Sequence, residues 1–148
     1  MTFQMEPAEQ LLHKWQKLLR LRDWDIRIQF VTQTWRKTGD IKIDLDNRNA
    51  VLLLNERNPR GENLEHIVIH ELLHLKLYPM DQMLEQLLVG VFGEDESDPK
   101  YSFAHTQFMV LLESTVEDLS RGYLDLGGTE TRVSFGRVQE QVDDELRS

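Results

Sequence analysis

The sequence predicts an α+β fold, in which a small antiparallel or mixed sheet of three to four strands packs against helices. Between residues 24 and 46, two short segments alternate apolar and polar side chains, as half-buried strands do, and the mostly apolar residues 50–55 indicate a third strand. On either side of that region, apolar side chains recur every three to four positions, as in amphipathic helices. The chain has 148 residues, 40% hydrophobic and 29% charged, so it can build one core without disulfide bonds.

The first half of the chain is predicted to form one helix followed by the strands. The helix covers residues 7–21, where Pro7 suits the first turn and leucines recur with Trp15 at helical spacing. The strands are predicted at residues 24–34, 41–46 and 50–55, and Gly, Asp and Asn in the segments between them indicate turns.

The second half is predicted to be helical. One helix covers residues 63–77, with Asn63 as its N-cap. Pro79 ends this helix, because the residue before a proline avoids the helical region. Two further helices are predicted over residues 80–92 and 103–124. The predicted domain covers residues 1–125, and residues 126–148 form a polar tail that is either flexible or docked in a cleft.

Composition excludes several classes of function. The chain has no cysteine, which excludes a disulfide scaffold, a thiolate nucleophile and a cysteine zinc site. The net charge of the chain is −9. Residues 61–148 alone carry a charge of −12, because they contain 18 Asp and Glu but only 6 Lys and Arg. Nucleic-acid binding depends on neutralising phosphates, so the sequence predicts no nucleic-acid partner. It also predicts a cytoplasmic protein without a membrane partner, since no segment resembles a membrane helix or a signal peptide.

The strongest functional signal is the motif His70-Glu71-Leu72-Leu73-His74 within the predicted helix 63–77. Residues i and i+4 lie one turn apart on one face of a helix, so both imidazoles can bind one metal ion. Glu71 lies beside them and can accept a proton from a water molecule that zinc has made acidic. Because the flanking residues are apolar, this helix should be largely buried, and its charged groups then need partners.

The third metal ligand must come from another part of the chain. The longer motif HExxHxxGxxH, in which a third histidine binds the metal, is excluded. Its Gly and third His would fall at residues 77 and 80, which are Leu77 and Met80 in this chain. His66 lies on the same face, but it is about 12 Å from His74 along the helix axis, so it is predicted to support the site without binding the metal. Four candidates for the third ligand remain, with the first favoured on geometry: Glu113, Glu117, Glu85 and His105.

Two segments together resemble the small gluzincin metallopeptidases called minigluzincins: HIVIHELLHLKLYPMDQ (66–82) and LLESTVEDLSRGYL (111–124). The resemblance covers residues 24–125 and implies a zincin-like fold, a zinc cofactor and a peptide or protein substrate. It implies that His70, His74 and Glu113 bind zinc and that Glu71 is the general base. Glu117, on the helix that carries Glu113, would then orient a ligand histidine.

Other interpretations stay open. An ImmA/IrrE-type peptidase would use Glu85, and a SprT-like protease would use His105, which Phe108 follows. A different class of function is a catalytically idle or regulatory metal-binding domain that engages a protein partner, such as a phage or toxin-system accessory. The sequence does not indicate the oligomeric state.

The predicted peptidase also needs a surface for the substrate backbone and a donor for the developing oxyanion. Residues 50–55 are predicted to be the edge strand that pairs with the substrate. Tyr123 is the favoured oxyanion donor, with three further candidates: Arg121, His105 and Tyr101. The minigluzincin resemblance, together with the acidic end of residues 127–148, raises the hypothesis that the tail occupies the cleft and keeps the peptidase latent.

Overall fold

In a computed structural model of the chain, helices pack against one small sheet. The structure describes residues 4–57, 59, 63–132 and 135–147, without the side chains of residues 136 and 137. Within them are four helices and three strands, which confirms the predicted α+β class. In chain order they are α1 (Met5–Leu18), β1 (Asp25–Val31), β2 (Gly39–Asp44), β3 (Asn49–Asn55), α2 (Leu64–Phe92), α3 (Pro99–Gly127) and α4 (Gly136–Arg147).

The sheet has the order β1-β3-β2, with β1 parallel and β2 antiparallel to β3. The prediction that residues 50–55 form the edge strand was therefore wrong, because β3 lies in the centre. Its sequence explains this position: Ala50, Leu52 and Leu54 are buried, and a nearly continuous apolar strand is best covered by neighbours on both sides. The more polar β2 is the edge strand beside α2, and charged residues are common on such edges.

Helix α2 continues through Pro79, whereas the sequence predicted two helices, 63–77 and 80–92. A proline inside a helix removes one backbone hydrogen bond, but packing along the whole helix can outweigh this cost. Here α3 contacts both halves of α2, since His74 pairs with Glu113 before the proline and Glu85 pairs with His105 after it. The predicted N-cap is confirmed: Asn63 Oδ1 accepts a hydrogen bond from the backbone N–H of His66, at 3.1 Å.

Apolar side chains from α1, α2, α3 and β3 form the core. Its largest fully buried members are Leu12, Trp15, Leu52, Leu54, Val68, Ile69, Leu72, Leu75, Val116 and Leu124. On α3, the buried residues Val116, Ser120 and Leu124 recur every four positions. This face of α3 packs inward, so positions on its other faces are free to form a site.

A buried carboxylate joins three parts of the chain at the start of α2. Glu65 is 3% exposed and accepts hydrogen bonds from Lys14 Nζ and Trp15 Nε1, both at 2.6 Å, and from Thr129 N at 3.0 Å. Burial opposes ionisation of Glu65, but these bonds outweigh it and lower its pKa. The segment that follows α3 is therefore held against the N-terminal end of α2.

The rest of the predicted tail contains the helix α4, which the sequence analysis did not anticipate. The side chains of residues 138–147 are exposed along the whole helix. Its apolar side chains Val138, Val142 and Leu146 recur at helical spacing, but acidic and polar residues separate them and weaken the signal in sequence. Across the described ranges, no helix combines the length and apolar character that crossing a bilayer requires.

Candidate metal centre

Two helix faces meet to form the candidate site. On α2, His66, His70 and His74 follow one another at intervals of four residues and turn toward α3. On α3, Glu113 and Glu117 have the same spacing and turn toward α2. Because each helix repeats nearly every four residues, the two rows of side chains face each other over several turns.

His70, His74 and Glu113 form a group that could hold a metal ion. The Nε2 atom of His74 lies 2.9 Å from Glu113 Oε1, and that of His70 lies 3.6 Å from Glu113 Oε2. Tetrahedral zinc with ligands at about 2.0–2.1 Å places neighbouring ligand atoms about 3.3 Å apart. Two imidazole nitrogens and one carboxylate are also a common donor set for catalytic zinc, so these residues fit the metal in chemistry and spacing.

Glu117 contacts the other side of His70. Its Oε2 lies 3.0 Å from His70 Nδ1, so the two nitrogens of this imidazole face two different carboxylates. Its Oε1 lies 2.7 Å from His66 Nε2 and accepts a hydrogen bond from Arg121 Nε at 3.1 Å. A carboxylate on the second nitrogen fixes the orientation and tautomer of a ligand histidine. His66, His70 and Glu117 form a second group that could hold a metal, and it shares His70 with the first.

The electrostatics of the site favour a positive charge between the helices. Burial opposes the charged form of His70, but hydrogen bonds to Glu113 and Glu117 outweigh it and raise the pKa of His70 to about 10. Hydrogen bonds to His70 and His74 hold the pKa of Glu113 well below its usual range. Those to His66 and His70 do the same for Glu117. A bound divalent cation would take the place of the proton on His70.

Glu71 turns away from α3 toward β2. Its side chain is 7% exposed, and burial raises its pKa, although His70 and His74 oppose this effect. β2 passes close to α2 here because residue 39 is glycine. A Cβ atom on Gly39 would lie 2.8 Å from Ile67 Cγ2 and 3.5 Å from Glu71 Cγ, so a larger residue would push the strand and the helix apart.

The site opens into a cleft of about 1130 Å³ between α3 on one side and β2 with the preceding loop on the other. His66, His70, Glu71, His74, Glu113 and Glu117 all line it. Tyr78 and Arg121 also line it and can donate hydrogen bonds. The sequence did not lead us to expect Tyr78 in the site. It follows His74 by four residues, however, and residues four apart lie on the same face of a helix.

Three sequence candidates lie apart from this group of residues. Glu85 and His105 face each other, with Oε1 and Nε2 3.5 Å apart, and neither is among the residues that line the cleft. Tyr123 packs edge-on against Trp15, with ring centroids 6.2 Å apart. It follows Arg121 by two residues, which is about 200° around the helix, so the two side chains point to opposite sides of α3.

The chain was compared with family models, curated proteins and solved structures. No family model, curated protein or solved structure gives a match.

Proposed function

We propose that the protein is a zinc-dependent metallopeptidase of the gluzincin type with a zincin-like fold. His70, His74 and Glu113 are the proposed ligands, and Glu117 is proposed to orient His70. The observation that carries the proposal is that α3 presents Glu113 and Glu117 to the two nitrogens of His70, while the buried Glu71 lines the same cleft. A carboxylate next to a metal site in a cleft is suited to general-base catalysis.

Zinc bound there would supply a Lewis acid that polarises the scissile carbonyl and makes a water molecule more acidic. Glu71 then accepts the proton of the attacking water and delivers it to the leaving amine. Its burial raises its pKa, which suits both roles because a less acidic carboxyl holds the accepted proton more readily until the amine leaves. Tyr78 and Arg121 line the cleft and are the proposed donors for the developing oxyanion.

The free edge of β2 is the proposed binding surface for the substrate backbone. Thr38 O accepts a hydrogen bond from Asn55 N, so even-numbered residues of β2 pair with β3. The alternation of an antiparallel ladder then directs the N–H and C=O groups of Gly39, Ile41 and Ile43 toward the open edge. The N–H of Ile41 already donates a hydrogen bond to Asp40 Oδ1 at 2.9 Å, so an added strand would pair with Gly39, Ile43 and the C=O of Ile41. Gly39 and Ile41 both line the cleft beside Glu71.

Metal content and chelation test this proposal. We expect one zinc ion per chain by native mass spectrometry, and hydrolysis of casein or a fluorogenic peptide mixture. Removing the metal with 1,10-phenanthroline should stop hydrolysis, and equimolar zinc should restore it, because the proposed reaction depends on zinc bound by His70, His74 and Glu113. A chain that binds no metal and still hydrolyses peptides would overturn the proposal. Stoichiometric zinc without hydrolysis of any substrate would favour the idle metal-binding domain.

The side chains of residues 138–147 on α4 are exposed in the structure, and the tail is proposed to keep the peptidase latent by moving its acidic end into the cleft. Asp143, Asp144 and Glu145 lie on α4, and the cleft contains the basic residues Arg36 and Arg121. We expect a chain that ends at Arg132 to hydrolyse peptides several times faster than the full chain. This end keeps the contacts of Asn63 with Glu130 O and Arg132 O. The control is the full chain in which Asp143, Asp144 and Glu145 are changed to the corresponding amides. Equal rates for the wild-type chain, the shortened chain and this control would contradict latency.

A further inference from the structure

The connection between β1 and β2 forms one wall of the cleft. Since β3 lies between these strands, the connection must cross the end of β3 to reach the start of β2. It thereby carries Arg36, Lys37 and Thr38 to the cleft, on the side opposite α3. Residues on such a wall lie beside any peptide that pairs with β2.

A buried asparagine holds this wall in place. Asn55, the last residue of β3, is 0% exposed. Its side-chain Nδ2 donates hydrogen bonds to Lys37 O at 2.7 Å and to Trp35 O at 3.3 Å, and its backbone N donates to Thr38 O at 2.9 Å. These bonds fix the backbone on both sides of Arg36. A residue presented from a fixed backbone loses less entropy when it binds a ligand.

The cations of the wall and of the adjoining strand β2 differ in whether they already have partners. Lys37 and Lys42 both bind Asp40, at 3.0 and 3.2 Å. Burial opposes ionisation of Asp40, but its hydrogen bonds to the two lysines outweigh this effect and lower its pKa. Arg36 is exposed and makes no hydrogen bond or ion pair with any residue in the described ranges.

The two carboxylates that α3 contributes to the metal centre already have partners as well. Glu113 and Glu117 bind histidines of α2, so they do not compete for the guanidinium of Arg36. A guanidinium has a fixed planar arrangement of donors that matches a carboxylate in a two-bond contact. The unpaired charge on the wall therefore fits an anionic side chain of a bound peptide.

We infer that the protein selects peptides with an Asp or Glu side chain within three residues of the scissile bond, and that Arg36 binds this carboxylate. The inference rests on the proposed peptidase function and adds the class of substrate to it. Charge complementarity at a rim position contributes to specificity more than to total affinity, so the expected effect is a moderate preference.

Capped fluorogenic peptides that differ only by Glu, Gln or Lys at one position test this inference. The position is varied over three residues on each side of the cleaved bond. For the wild-type chain we expect kcat/KM to be about fivefold higher with Glu than with Gln at one of these positions. In Arg36→Ala the Glu-to-Gln ratio should fall to about one, and in Arg36→Glu the Lys peptide should become the preferred one. Arg27→Ala, an exposed arginine of β1 outside the cleft, should keep the wild-type ratio.

The two proposals fail in different ways. If the wild-type chain cleaves Glu and Gln peptides equally, the inference about Arg36 is wrong and the peptidase function stands. An equal loss with both peptides in Arg36→Ala would also overturn it, because that pattern indicates a structural role. If no peptide is cleaved, the inference about Arg36 is tested separately by binding. Fluorescence anisotropy then gives the Kd of labelled peptides for the Glu71→Gln chain. A Glu-to-Gln difference in Kd that disappears in Arg36→Ala supports the inference, and equal Kd values overturn it.

Discussion

Replacing Glu71 with Gln is expected to reduce kcat/KM for peptide hydrolysis by about 10²- to 10⁴-fold, the usual contribution of a general base. Gln has the shape of Glu but cannot accept the proton of the attacking water. Glu71 is 7% exposed and points away from Glu113, so the proposed ligands should keep their positions. Zinc content by mass spectrometry should therefore remain one per chain while turnover is lost.

The same variant separates a catalytic role from a structural one. Burial raises the pKa of Glu71, which means that the fold disfavours its ionised form. Removing the ionisable group should then leave Tm unchanged or raise it, because Gln carries no charge for burial to disfavour. Peptide hydrolysis within a few-fold of the wild-type rate would contradict the proposed mechanism. Loss of zinc or a lower Tm would instead give Glu71 a role in holding the fold.

Local spacing explains why part of the site could be predicted from the sequence. The positions of His70, Glu71 and His74 relative to one another depend only on the geometry of one helix, and the structure has that helix. The pairing of Glu113 with His74 joins residues 39 positions apart and depends on how α3 packs. From the sequence, Glu113 was the favoured third ligand, but Glu85 and His105 stayed open as alternatives, and packing pairs these two with each other instead.

The incorrect predictions share a cause, which is that a local rule was applied where tertiary packing decides. Pro79 disfavours helix locally, but contacts with α3 on both sides keep α2 continuous. The short apolar run at residues 50–55 indicates a strand but contains no information on strand order. The buried Asn55 was a usable signal, because an amide at the end of an apolar strand needs partners from another segment.

The contributions of the two glutamates on α3 can be separated by measuring zinc affinity. Glu113→Ala removes a proposed ligand and is expected to weaken zinc binding by more than about 100-fold. Glu117→Ala removes only the group that orients His70, for which losses of about 10- to 100-fold are typical. Asp118→Ala, an exposed carboxylate on the same helix, should bind zinc like the wild type. Competition with a chromophoric chelator gives each Kd.

A pair of histidine variants decides which of the two candidate groups holds the ion. His74 belongs to the group with Glu113, and His66 belongs to the group with Glu117, whereas His70 is common to both. If the proposed ligands are correct, His74→Ala should abolish stoichiometric zinc binding and His66→Ala should weaken it by about 10-fold at most. The reverse order, together with a larger effect of Glu117→Ala than of Glu113→Ala, would move the metal one helical turn toward the start of α2. In that case the histidine ligands would be His66 and His70. Glu71 lies between His70 and His74 in the sequence, so it would lie beyond His70 from the ion and could not act as the base.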